Sequence, residues 1–340
     1  MRTHRKIHIP RVVPKRPILQ MAHASLALAP KPIHVGQINN VHVKIFENAV
    51  AKQPEPAALA AADADMDGIF SRLSVGKATL SLMAWGDTMV PAWHRRALRI
   101  SQKLAERPQF FTELFGGAFF AQGDEFVGID NNHPQSAVPY FLRHFLDRII
   151  TIEADHNEML RENNFFFING MGNEESERLR FYAWVKDAAR NRNPEARDLS
   201  VENVLKQTDL FFEATFGLGP GCHVLFCEKA NGPFSHLPFG KIALSAETRG
   251  RKDASYDSDF SHAYTLRSEM FWPQRVNFIV TRANKANEVF DSFGIARTDE
   301  NQNRDFCPGR EFQKHPNVHL YCSRAAGQRL IPLLQTGDET

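Results

Sequence analysis

The spacing of the apolar residues changes near residue 200, and this change constrains the fold more than any other feature of the chain. From about 61 to 195 the signals are largely helical: Trp93, Ala97, Ile100 and Leu104 recur at steps of four, three and four, and Pro108 closes that segment. Val138 to Ile150 predicts a second helix, and Asn173 followed by Glu174 and Glu175 caps a third that carries Leu179, Tyr182, Ala183 and Val185. Two β-like runs interrupt this half, Phe126 to Asp130 and Phe165 to Asn169, the latter so continuously apolar that it predicts burial on both faces. Ser200 opens a further helix through about Ala214. After it the period becomes two. His223 to Glu228, Lys241 to Ser245, Arg275 to Thr281 and Val318 to Cys322 read as strands, with one helix from Asn284 to Phe293 ended by Gly294.

The expected fold class is therefore α+β, an α/β sandwich whose C-terminal mixed or antiparallel sheet is flanked by helices and preceded by a mostly helical region. Three segments follow. Residues 1–60, with seven prolines and little apolar periodicity, predict an unfolded basic leader carrying one strand at Val41 to Phe46. Residues 61–195 form a mainly helical region suited to target recognition or to an adaptor role, and residues 196–335 form the α/β sandwich. At 340 residues the chain is long enough for about two domains.

Charge narrows the classes of partner. The net charge is +2, yet eight of the 41 basic residues precede the first acidic one, Glu47, which leaves 33 basic against 39 acidic groups in the rest of the chain. A body of that sign lacks the clustered cations that displace phosphate counterions, so nucleic acid is not expected as a partner. The acid-free leader reads as an organellar transit peptide, as a delivery segment for a secreted protein that enters a host cell, or as a solvated basic tail. The uncharged run Pro17 to Pro30 is too short and too polar to span a bilayer, so membrane insertion is not expected. Four cysteines are too sparse for a disulfide scaffold, and reduced thiols are the default.

Motifs for the commoner nucleotide-binding, hydrolase-elbow and metalloprotease sites are absent, and no cofactor is implied. Asp63, Asp65, Asp67 and Gly68 spell the opening half of a calcium loop, but Ser74 stands where the twelfth-position Glu belongs, and a polar helix start is the plainer reading. Cys222, Cys227 and His236, and likewise His315, His319 and Cys322, approach metal-ligand spacing without matching a closed zinc pattern, so no metal is expected.

The distinctive segment runs from Thr215 to Gly240. The glycines and proline of Gly217 to Gly221 predict a tight turn, with Gly219 and Gly221 offering backbone N–H groups to an oxyanion and Cys222 at the start of the following strand. Asn231-Gly232 then turns the chain back, which would bring His236 alongside Cys222 as a base for the thiol. The bland alternative is a small buried cysteine and a surface histidine.

The G-P-G-C turn, the Thr before it and the His after it resemble the active-site hairpin of the cytotoxic necrotizing factor toxins and the chemotaxis receptor glutamine deamidases. The resemblance implies hydrolysis of a protein glutamine side-chain amide through a Cys thioester. It makes Cys222 the nucleophile, His236 the general base and acid, and Thr215 the residue that orients the histidine. The function so implied is that of a toxin-like or effector deamidase with a host protein as its partner. Two alternatives stand beside it: a papain-like peptidase or acyltransferase pairing Cys222 with His262 and Asp257 or Asp259, and a non-catalytic binding protein.

Overall fold

The computed structural model describes residues 30–50, 55–149, 160, 163–190, 200, 203–204, 209–228, 239–249, 260–266 and 273–335. Among the described residues, eleven strands form two sheets: β1 (His34–Ile38), β2 (Val41–Phe46), β3 (Ala78–Met83), β4 (Ala118–Gln122), β5 (Asp124–Phe126), β6 (Phe165–Phe166), β7 (Leu210–Phe216), β8 (Phe239–Ala243), β9 (His262–Leu266), β10 (Arg275–Val280) and β11 (Val318–Ser323). The larger sheet has eight strands in the order β1-β2-β11-β10-β7-β3-β4-β6. Its neighbours run parallel except at the β1–β2 edge hairpin. A small antiparallel sheet, β5-β9-β8, stands beside it.

The sheet is buried on both faces. Helices α1 (Pro56–Ser74), α2 (Val90–Glu106), α3 (Phe110–Gly117) and α4 (Ala137–His144) cover one face around Trp93, Phe110, Phe141, Phe145 and Phe165. Helix α5 (Glu174–Arg190) and the helical segments carrying Val289, Phe293, Ala326 and Leu330 cover the other, around Phe212, Phe216 and Phe278. Of the expected fold class, the α/β character and the flanking helices hold. The sheet corrects the rest: it is central and mostly parallel, and it takes β3 and β4 from the segment expected to be mainly helical, beside β6, which begins the run Phe165 to Asn169 expected as a buried strand. Strands β1 and β2, from the expected leader, pair into the same sheet through β11.

The physical reason is burial. Every residue of Ala78–Met83 and of Ala118–Gln122 is buried, so neither strand shows the polar-out alternation that marks a half-exposed strand. The helix expected from Ser200 to Ala214 is corrected at its far end, while residues 203–204, next to a Val204 N to Ser200 O hydrogen bond, are helical. Leu210–Phe216 is the central strand β7, although Leu, Glu and Ala are all good helix formers, because pairing with both β3 and β10 outweighs local propensity. His223 to Glu228 is no strand either; it is a tight loop closed by a single bridge between Val224 and Cys227. The strands expected at Val41 to Phe46, Arg275 to Thr281 and Val318 to Cys322 are present, as is the helix begun at Glu174.

The D-x-D-x-D-G motif lies inside α1 and is a set of helix-to-helix ion pairs. Asp63 receives Arg95 at 2.8 Å and Arg99 at 2.9 Å, Asp65 pairs with Arg96, and Asp67 meets Arg99 at 2.5 Å. Asp63 and Asp67 stand four residues apart on α1, as do Arg95 and Arg99 on α2, while Asp65 also accepts from Thr215 and Asn277 of the sheet.

Candidate functional site

Strand β3 is where the chain order of the sheet reverses: β4 and β6 lie to one side, and β7, β10 and β11 to the other. Loops leaving the carboxyl ends of parallel strands at such a point diverge and leave a crevice. A cleft of about 420 Å³ opens there, a size suited to a small metabolite. Its wall takes Trp85, Asp87 and Thr88 from the end of β3, Asp124 from beyond β4, Gly217, Gly219 and His223 from beyond β7, and Thr281, Arg282 and Lys285 from beyond β10. Another hollow, lined by Pro273, Gln274, Lys314, His315 and Pro316, lies at the opposite, amino-terminal ends of β10 and β11.

Asp124 is the most perturbed group in the cleft. It sits where the chain leaves the large sheet through Gly123 and enters β5, opposite Thr265. The residue is 4% exposed, and its Oδ1 has no hydrogen-bond partner among the described residues. Burial and the neighbouring Glu125 push its carboxyl well above the usual aspartate range, opposed by a hydrogen bond with Trp85. A buried carboxyl with one unpartnered oxygen, in a residue that lines a cleft, is suited to taking or giving a proton.

Glu125 has a different task. Its carboxylate accepts from Ser136 Oγ (2.7 Å), Ala137 N (3.0 Å), Gln122 Nε2 (3.0 Å) and Phe126 N (2.9 Å). Burial raises it to about 7, and these four donors counteract the rise. It thus ties the start of α4, whose cap is Ser136, to the strand that carries Asp124.

His223 is fixed by the glycine turn. Gly219 N donates to His223 O at 2.9 Å, and a Cβ at position 219 would lie 1.6 Å from His223 Nε2, so only glycine leaves room for the ring. Gly221 takes φ +62°, a left-handed conformation that glycine adopts without strain. The turn is thus built to aim an imidazole into the cleft.

Arg282 and Lys285 bring two cations to the same wall, with the hydroxyls of Thr88 and Thr281 beside them. Asp87 meets Arg282 at 3.7 Å and accepts from Tyr140 OH at 2.6 Å. Trp85 packs edge-on against Phe226 and Tyr140, each at 6.4 Å between ring centroids, giving the cleft an aromatic flank. Guanidinium, ammonium and hydroxyl donors at loop ends that follow parallel strands suit a bound oxyanion such as phosphate.

The residues singled out from the sequence are not gathered at one point. Thr215 lies within β7, where its hydroxyl receives Arg96 Nη2 at 2.7 Å and donates to Asp65 at 3.2 Å. The Cys222 thiol is buried and turned away toward Glu288 O at 3.6 Å. A hydrogen bond with Cys307 and burial push this thiol up, the opposite of what an activated nucleophile needs. His236, Asp257 and Asp259 lie outside the described residues. His262 is on β9, with Ser261 Oγ at 2.9 Å from its Nδ1. Gly219 and Gly221 do form a tight turn, but it presents His223.

Asp124, His223, Arg282 and Lys285 were missed. The available signals were an acidic pair after the apolar run Phe119 to Ala121, and a histidine one residue beyond the cysteine that drew attention. Among the described residues no group of three or more His, Cys, Asp or Glu side chains is placed to hold a metal ion, and no helix is long and apolar enough to cross a membrane.

No family model matches the chain, and no curated protein does. Solved structures do. A monomeric glucosamine-6-phosphate deaminase, described as a missing link of the NagB superfamily, is similar with a TM-score of 0.58 at 19% identity, over 83% of this chain and 99% of that one. The 6-phosphogluconolactonase of Leishmania guyanensis is similar at a TM-score of 0.51 and 13% identity, over 84% of this chain and 97% of its own. That of Thermotoga maritima reaches 0.50 at 13% identity, over 83% and 98%. At these identities the likeness is one of fold. It overturns the resemblance to the toxin deamidases, and with it the toxin and effector reading and the host-protein partner.

Proposed function

We propose that this protein is an enzyme that acts on a phosphorylated sugar, using Asp124 to move a proton at the sugar's carbonyl end while Arg282 and Lys285 hold the phosphate. The observation that carries the reading is the buried, half-vacant Asp124 carboxyl in the same cleft as those two cations. The solved structures of similar fold, named for deamination of glucosamine 6-phosphate and for hydrolysis of 6-phosphogluconolactone, support a substrate of this class.

Both chemistries need what the cleft supplies. Asp124, its carboxyl raised by burial, can abstract a proton beside a carbonyl or activate a water that attacks one. His223, held over Gly219, faces the same space and can pass a proton to the ring oxygen or the leaving group. Trp85, Phe226 and Tyr140 form an apolar flank against which a sugar ring can lie.

Two assays on the purified full chain test the proposal: ammonia release from glucosamine 6-phosphate, and acid release from freshly made 6-phosphogluconolactone. Turnover of either that disappears in Asp124→Asn supports it and assigns the reaction. Turnover of neither, with no weak binding of either sugar phosphate or of inorganic phosphate by calorimetry, ends it.

A further inference from the structure

Cys222 and Cys307, 85 residues apart in the chain, have their sulfurs against one helical stretch, 288–292, and neither is used by the chemistry above. Each residue is 5% exposed. Ser292 Oγ stands 3.7 Å from the Cys307 sulfur, and Cys222 reaches Glu288 O at 3.6 Å. Together they form a small polar cluster between the glycine turn and the helical segment that follows Lys285. Cys222 immediately precedes His223 and takes φ +63°, a left-handed conformation that costs a β-carbon residue energy. The turn therefore contains a strained residue whose thiol is packed against Glu288 O.

The electrostatics make the pair unequal. Hydrogen bonds from Cys222 and Ser292, together with the Arg310 charge, bring Cys307 down to about 7, while Cys222 keeps its proton and is pushed up. A thiol easily ionised, with a second thiol against the same helical stretch, is the arrangement in which a first oxidation has a resolving partner nearby. Cys322 differs: it is fully buried against Lys44 O, with its thiol pushed up to about 12.

We propose that Cys222 and Cys307 are a redox modification site, forming a reversible disulfide in the presence of a hydroperoxide, and that this bond repositions the turn carrying His223. In the first step the Cys307 thiolate attacks the distal oxygen of the hydroperoxide. The O–O bond breaks, and the departing alkoxide takes a proton to leave as an alcohol, or as water from hydrogen peroxide. In the second, the Cys222 sulfur attacks the sulfenic acid; its proton and the hydroxyl leave as water. Two thiols lose two electrons and the hydroperoxide gains them. Drawing the two sulfurs to bonding distance takes Cys222 off Glu288 O and must shift the 219–223 turn, because Cys222 is within it.

The site stands apart from the sugar-phosphate reading, and its test uses no substrate. The native full chain is treated with hydrogen peroxide, then mapped without reduction by mass spectrometry, with hydrogen exchange read on peptides that cover 216–226. The expected result is a peptide pair linked through Cys222 and Cys307 and lighter by two hydrogens. Cys307 should react at least about tenfold faster than Cys227 or Cys322. Exchange in the turn should change on oxidation and return on addition of a dithiol reductant. Cys222→Ser and Cys307→Ala should each abolish both effects, and the map of the unmodified chain stands even where a variant folds poorly. Absence of the linked pair in protein that stays folded, or equal oxidation of all four cysteines, overturns the proposal. A linked pair with unchanged exchange in the turn overturns the coupling to His223.

Discussion

Gly219 and His223 occupy each other's space: the imidazole lies where a Cβ at position 219 would be, 1.6 Å from Nε2. The side chain at 219 thus decides whether the ring can face the cleft. Gly219→Ala is expected to leave the fold intact and lower kcat/KM by up to about 100-fold, since a displacement of about 1 Å in a reacting group costs that much. Steady-state kinetics together with far-UV circular dichroism check it.

Asp124→Asn is expected to lower kcat by roughly 10²–10⁴-fold, the usual worth of a positioned general base. Stability should hold or rise, because the change removes a buried carboxyl whose ionisation opposes the fold. In the unmodified enzyme the acidic limb of kcat/KM should lie well above the aspartate value of 3.8, since the base must first lose its proton. A pH–rate profile and a denaturation curve on the same preparation test both statements.

Lys285→Ala and Arg282→Ala should each raise KM by about 10–100-fold with little change in kcat, as expected for a charge-assisted hydrogen bond to a phosphate remote from the reacting carbon. The split between the two constants is the informative readout. A matching loss in kcat would place these cations at the reacting end instead.

Glu125 makes stability depend on pH. Its carboxyl rises from 4.5 to about 7 on folding, so the folded state holds the proton more tightly. Its contribution is complete below the unfolded value and is lost as pH climbs through about 7. Urea midpoints should therefore fall across that window, by at most roughly 3 kcal/mol of stability, and Asp124 acts in the same direction. Glu125→Gln should flatten the decline.

Asp65→Ala should destabilise by about 3–5 kcal/mol, because it leaves the Arg96 guanidinium, 1% exposed, buried without its carboxylate. It also removes the acceptor for Thr215 and Asn277. Calcium should leave the melting temperature unchanged, since Asp63, Asp65 and Asp67 are engaged by arginines. Thermal melts with and without the ion check this.

The individual elements near the chain ends were legible. Val41–Phe46 and Arg275–Val280 are runs rich in Val and Ile, Val318–Ser323 alternates apolar and polar residues at its start, and α5 begins with three acids in its first turn. Strands Ala78–Met83 and Ala118–Gln122 were not, since a strand buried on both faces and a buried helix both read as unbroken apolar sequence. The site was half legible. The glycine turn is where the sequence puts it, but which of Cys222 and His223 faces the cleft depends on the φ of Gly221 and on the packing against Glu288, Ser292 and Cys307.

By itself the amino-acid sequence determined local matters: helix caps, turns, edge strands and the absence of a span for a bilayer among the described helices. Those follow from interactions within about ten residues of chain, which spacing and side-chain type encode directly. Only the tertiary structure decided that the sheet is parallel, that its order reverses at β3, and that Asp124, His223 and Lys285 meet in one cleft. It alone made Asp124 a base, because a carboxyl is raised by the water it loses and the charges it gains from distant parts of the chain, and neither is written in its neighbours.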